Sequence, residues 1–181
     1  MRDIEKLIRE IIPPPTREER EGFTNDKIIS GLNEEEFLAV EKRLIQELDK
    51  NDDLLIAQTL AEMKSENALP VLSKRLNEKD SHFEKITWAA LINDLKNGDS
   101  EMEQIAFEEF EKLEFIYAVQ GSIFMELIKF KSPRINKRIE KFIDHKYDLV
   151  AIHAKKALND NAHADSFYNN ESKKWWNFGN K

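Results

Sequence analysis

An all-α fold of stacked helical pairs is what this sequence predicts, and three observations predict it. A unit recurs with a period of about 32 to 35 residues: Leu60-Ala61-Glu62-Met63-Lys64-Ser65 returns loosely as Leu91-Ile92-Asn93-Asp94-Leu95-Lys96-Asn97 and as Leu127-Ile128-Lys129-Phe130-Lys131-Ser132. Each copy ends an apolar helical pattern at one large apolar residue, then Lys, then Ser or Asn. Apolar residues recur at three- and four-residue spacing rather than alternating, which is the signature of helix and not of strand. Five Gly, five Pro and 35% charged residues suit short connections and solvated outer helix faces. A period of this length marks a short α-solenoid, because each helical pair buries its apolar stripe only against its neighbours.

The elements follow in order. Ile4, Leu7, Ile8 and Ile11 make one stripe of an N-terminal helix. Pro13-Pro14-Pro15 must end it, since proline lacks the amide donor and restricts its predecessor. Thr16 to Gly22 is charged and reads as a loop, and a short helix follows around Asp26 to Ser30. Asn33 can N-cap the next helix, with Glu36 three residues on as in a capping box and Leu32 and Phe37 at the staple positions. That helix starts at Glu34, and Phe37, Val40, Leu44, Ile45 and Leu48 continue its stripe to about Asp49. From Asp52 the pairs run as 52–64 with 68–77, 82–96 with 100–113, and 115–130 with 133–144. Ser132-Pro133 supplies an N-cap and a first-turn proline for the last of these. A final helix, 147–159, carries Val150, Ala151, Ala154, Ala157 and Leu158.

Within the first pair, Asp52-Asp53-Leu54-Leu55-Ile56-Ala57-Gln58-Thr59-Leu60 is followed by Ala68-Leu69-Pro70-Val71-Leu72 and Leu76. This resembles a HEAT repeat, whose second helix often opens on a segment like Ala-Leu-Pro-x-Leu-x-x-x-Leu. Ala68, Leu69, Pro70, Leu72 and Leu76 match that pattern one by one, whereas the pair 82–96 with 100–113 lacks the early proline. The resemblance implies a HEAT-like superhelix over 52–158, in one domain of 181 residues with N-terminal helices in 1–49 and an aromatic tail in 159–181. It also implies that second helices line the partner-binding side.

Composition removes whole classes of chemistry. With no cysteine there is no disulfide framework, thiol nucleophile or thiolate metal site. No run approaches the roughly 18 apolar residues of a membrane span, and the amphipathic N-terminus lacks an apolar signal core. A cytoplasmic protein is expected. No Gly-x-Ser-x-Gly elbow, glycine-rich phosphate loop or HExxH spacing occurs. His145, Asp148 and His153 could approach one another, yet read as surface or cap-satisfied groups. No cofactor, metal or catalytic residue is expected.

Charge is unevenly spread: residues 1–50 net −4, residues 51–114 net −8 and residues 115–181 net +5. Such a dipole affects association and partner choice more than fold. The densest acidic cluster is Asp99, Glu101, Glu103, Glu108, Glu109, Glu111 and Glu114. Glu101, Glu108 and Glu111 share a helix face and are the candidate contacts for a basic protein partner. Calcium or magnesium is the rival reading of these carboxylates, against which stands the absence of alternating loop ligands. The tail gathers Phe167, Tyr168, Trp175, Trp176 and Phe178 beside Lys173 and Lys174. Trp175 and Trp176 are candidate contacts too, but two lysines in a chain of pI near 5.3 neutralise few phosphates, which argues against nucleic acid. A tail folded back to cap the apolar end of the stack is the stronger expectation. Trp88 reads as core, and Gly121 as a site of close helix packing.

The expected function is a non-catalytic protein-binding module with an acidic helical face. One form it could take is an immunity or inhibitor protein masking a basic toxin. Two other classes stay open: an accessory or enzymatic protein like the HEAT-like phycobilin lyases and alkylpurine DNA glycosylases, and a structural scaffold.

Overall fold

The structure, a computed structural model, describes residues 2–113 and 122–159. Among these residues every regular element is helical and no strand occurs.

Helix α1 (Ile4–Ile11) starts where the Asp3 side chain accepts hydrogen bonds from the Glu5 and Lys6 amides, and it buries Leu7 and Ile11. The stretch expected as a loop contains a short helix, α2 (Arg17–Arg20). Thr16 caps it through the Glu19 amide, and Arg17 pairs with Glu21 at 3.0 Å. A four-residue helix is too short to hold by itself. What holds this one is Arg20, whose guanidinium reaches both Asp53 oxygens at 2.8 and 2.6 Å and the Pro13 carbonyl. Helix α3 (Asp26–Ser30) follows as expected.

Helix α4 (Glu34–Leu48) begins with the anticipated capping box: Asn33 accepts from the Glu36 amide, and Glu36 accepts from the Asn33 amide. Glu36 does more than cap. Its carboxylate is buried and receives three N–H groups of Arg2, at 2.6 to 3.1 Å. Helix α5 (Leu54–Glu62) is capped by Asp53, so one carboxylate both starts α5 and holds α2. A 3₁₀ turn at Glu66–Ala68 leads into α6 (Leu69–Asn77), with Pro70 in its first turn where no amide donor is needed.

Helices α7 (His82–Leu95) and α8 (Ser100–Glu111) come next, followed by α9 (Ser122–Ile128) and α10 (Pro133–Ile139). Ser132 caps α10 through the Ile135 amide, and Pro133 sits just inside. A 3₁₀ turn, Glu140–Phe142, continues α10, and residues 148–159 form α11.

These residues fall into two compact units. The first comprises residues up to Lys79 together with Leu91–Asp99; here α1 packs on α3 and α4, and α4 packs on α5. Its core includes Leu7, Ile11, Val40, Leu44, Leu48, Leu60 and Leu72, each at most 1% exposed. The second comprises Asp80–Ala90 and the described residues from Ser100 on. Phe110, Phe124 and Phe142 cluster there with ring centroids 5.5 to 6.2 Å apart, beside buried Ile123, Leu127, Ile135 and Ile139. Trp88 is 2% exposed, the core position expected of it. Gly121 lies outside the described residues.

The sequence period is a feature of the backbone. Lys64, Asn97 and Lys131 are the non-glycine residues with positive φ among those described, at 54°, 54° and 50°. Positions 64, 97 and 131 stand 33 and 34 residues apart. The first two turns carry the same paired bonds: the Lys64 and Ser65 amides reach back to Ala61 and Leu60, and those of Asn97 and Gly98 reach Asp94 and Asn93. This is the left-handed helix stop that satisfies otherwise orphaned carbonyls. In the third turn, the Lys131 amide reaches Ile128. After two of these turns a buried serine ties down an earlier helix. Ser65 Oγ donates to Glu41 of α4 at 2.6 Å, and Ser132 Oγ donates to Glu103 of α8 at 2.7 Å.

Candidate functional site

Helix α8 turns Met102, Ala106 and Phe110 inward, which leaves positions 101, 104, 108 and 111 as one exposed row at three- and four-residue spacing. Glu101, Glu108 and Glu111, the candidates named from sequence, stand in that row with Gln104 between them. The row is tied together. Gln104 donates to Glu108, and Arg134 of α10 donates to Gln104 at 2.9 Å and to Glu103 at 3.4 Å. One helical turn further on, Arg138 pairs with Glu111.

Both arginines also lie against aromatic rings. The Arg134 guanidinium sits 4.1 Å from the centre of the Phe107 ring; that of Arg138 lies 5.4 Å from Phe142 and 5.9 Å from Phe110. A planar guanidinium can stack on a ring and bond a carboxylate in its own plane at once, which a lysine cannot. The dense acidic run therefore presents less net charge than its sequence suggests, because Glu103 and Glu111 are matched by arginines from α10. Sequence reading missed Arg134 and Arg138. Their i, i+4 spacing on a basic helix was the available signal.

Glu109 differs from its neighbours. It is 7% exposed and receives Lys112 Nζ at 2.9 Å and His82 Nδ1, with Lys85 Nζ at 4.0 Å. Burial favours its neutral acid, but the hydrogen bonds from Lys112 and His82 prevail and hold the carboxyl below its usual range. This links α7 to α8 through an acid that the sequence showed only as one member of the dense acidic cluster. His145, expected as a surface or cap-satisfied group, accepts from the Tyr147 amide through its Nδ1 in the turn before α11, and its ring stacks near Phe142.

A shallow groove of about 310 Å³ lies between α4 and α6 in the first unit, lined by Ile45, Gln46, Asn67, Pro70, Val71 and the Asp49–Lys74 ion pair. No group of three or more His, Asp or Glu among the described residues is placed to hold a metal ion. No described helix is long and apolar enough to cross a membrane.

No protein-family model, curated protein or solved structure matches this chain.

What the site can do is therefore set by its own geometry. Carboxylates at positions 101 and 108 face solvent on one helix, and such groups accept charge-assisted hydrogen bonds from guanidinium or ammonium groups. Glu108 is oriented by Gln104, which is oriented in turn by Arg134. Pre-oriented acceptors lose less side-chain entropy on binding than free ones. Trp175 and Trp176 lie outside the described residues.

Proposed function

We propose that this chain is a HEAT-like helical-repeat module that binds a basic protein through the outer row of α8 and performs no catalysis itself. The observation that carries the reading is the row itself, Glu101-Gln104-Glu108-Glu111, buttressed from α10. The recurrent left-handed turns at positions 64, 97 and 131 support a repeat architecture, since each closes a helix within one residue of the same point of the sequence period. Carboxylates held in a fixed pattern discriminate among partners by hydrogen-bond geometry, and their charge raises the association rate. Masking a basic toxin, as an immunity or inhibitor protein does, is one task that suits such a surface. A cysteine-free chain is compatible with work in the reducing cytoplasm.

The test is a paired capture. Wild-type protein and the Glu101→Lys/Glu108→Lys variant are immobilised and exposed to the same host extract, then eluted with a salt gradient. Both side chains are exposed, so the variant's thermal midpoint stays close to wild type. A basic protein retained by the wild type, released at moderate salt and missing from the variant is the expected result. Identical retained proteins on both supports would remove α8 from the binding surface.

A further inference from the structure

Two rows of charge run side by side in the second unit. Helix α10 and the 3₁₀ turn that continues it expose Arg134, Lys137 and Lys141, with half-buried Arg138 among them, at three- and four-residue spacing along one face. The acidic row of α8 stands beside this basic row. Ser132 and Arg134 reach Glu103, Arg134 also reaches Gln104, and Arg138 reaches Glu111. The two helices therefore run in the same direction with their levels matched. Glu108 lies between Gln104 and Glu111, which is the level of Lys137, between Arg134 and Arg138.

The arginines satisfy Glu103 and Glu111, but charge of both signs is left over. Among the described residues, Glu108 on α8 and Lys137 and Lys141 on the α10 side form no ion pair. A face that carries unmatched anion beside unmatched cation is complementary to itself, and symmetry decides how two such faces meet. Identical patches pair about a two-fold axis lying in the contact plane. An axis across the helices would set α8 on α8, acid against acid, which costs free energy. An axis along the helices sets α8 of each copy on α10 of the other. It also keeps every residue at its own level, so Glu108 meets Lys137 of the second copy.

We propose that this chain pairs with a second copy of itself through the α8–α10 face, with Glu108 of each copy bonded to Lys137 of the other. The contact is polar and charged, so it weakens as salt rises. It covers the outer row of α8, and a basic protein docking there must displace the second copy. The inference rests on the two charge rows and not on the function proposed above.

Sedimentation equilibrium of the full chain tests it over a range of protein concentrations, at ionic strength below about 0.1 M and again well above it. Wild-type protein should form a dimer that loosens with salt. Glu108→Lys and Lys137→Glu, both at exposed positions, should each weaken association about tenfold or more, because each turns two attractions into two repulsions. The double variant Glu108→Lys/Lys137→Glu restores opposite charge and should recover the wild-type dimer. A wild-type chain that stays monomeric, or a mass that grows beyond the dimer, would overturn the proposal. So would single variants that associate as wild type does, or a double variant no tighter than the singles. Lys137→Glu leaves the α8 carboxylates in place, so this test succeeds or fails independently of host-protein capture.

Discussion

Replacing Lys64 separately by Gly and by Ala should invert the usual stability order of those two residues. At a regular helical position Gly is about 1 kcal/mol less stable than Ala. Lys64 has φ of 54°, a conformation that costs an L-residue about 1–2 kcal/mol and glycine almost nothing. Both variants lose the same exposed ion pair, Lys64 to Asp94 at 3.3 Å, so that loss cancels in the comparison. Glycine's greater freedom in the unfolded chain takes back about 0.5–1 kcal/mol. Taking the midpoints of these ranges, Lys64→Gly should exceed Lys64→Ala by about 0.75 kcal/mol, read by urea unfolding with the m-value unchanged. Lys96 is the internal control: it neighbours the equivalent turn but has no positive φ, and there Ala should exceed Gly. Equal stabilities at position 64, or the ordinary order, would refute the claim that the repeat is built on left-handed helix stops.

Two other outcomes follow from the same physical reading. Hydrogen bonds from Arg2 hold the Glu36 carboxyl down to about 2 from an ordinary 4.5. A depressed carboxyl stabilises the fold above its unfolded pKa and loses that contribution as pH falls through its folded one. The Glu36→Gln variant should thus lose midpoint at neutral pH and show a flatter decline between about pH 5 and pH 2, and a decline parallel to wild type would exclude Glu36 as a source of acid lability. Truncating Phe124, fully buried between Phe110 and Phe142, should cost about 3–5 kcal/mol by chemical denaturation. A cost below about 1 kcal/mol would mean that the aromatic cluster repacks around the gap.

The elements most legible in the sequence were those whose signals are local. Asn33 with Glu36 placed the start of α4 at Glu34, and Ser132-Pro133 placed the start of α10. The turns at Lys64 and Lys131 were legible as places where helices stop, but not as left-handed backbone, because lysine does not advertise that conformation as glycine would. Helix α2 escaped notice because its stability comes from Arg20 reaching Asp53, 33 residues away, and no apolar period marks it.

The acidic residues teach the same lesson. Glu108 and Glu109 are neighbours of one type with different fates, because successive helical positions point about 100° apart. Glu108 faces solvent, while Glu109 is buried against His82 and Lys112. Glu41 is likewise buried and held by Ser65 and Asn67 from the next pair of helices. Each of these buried carboxylates is held in part by a donor 24 or 27 residues away, which pattern within one helix does not encode. The exposed row of α8 was predictable from spacing alone; its buttressing by Arg134 and Arg138 was not.

The most direct measurement is zero-length carbodiimide cross-linking of this protein to the partner it captures from its host, with the linked carboxylates located by mass spectrometry. Linkage from Glu101 or Glu108 to partner lysines is the predicted result. Linkage confined to other carboxylates, such as Glu34 and Glu35 at the start of α4, would contradict the assignment of α8 as the binding surface.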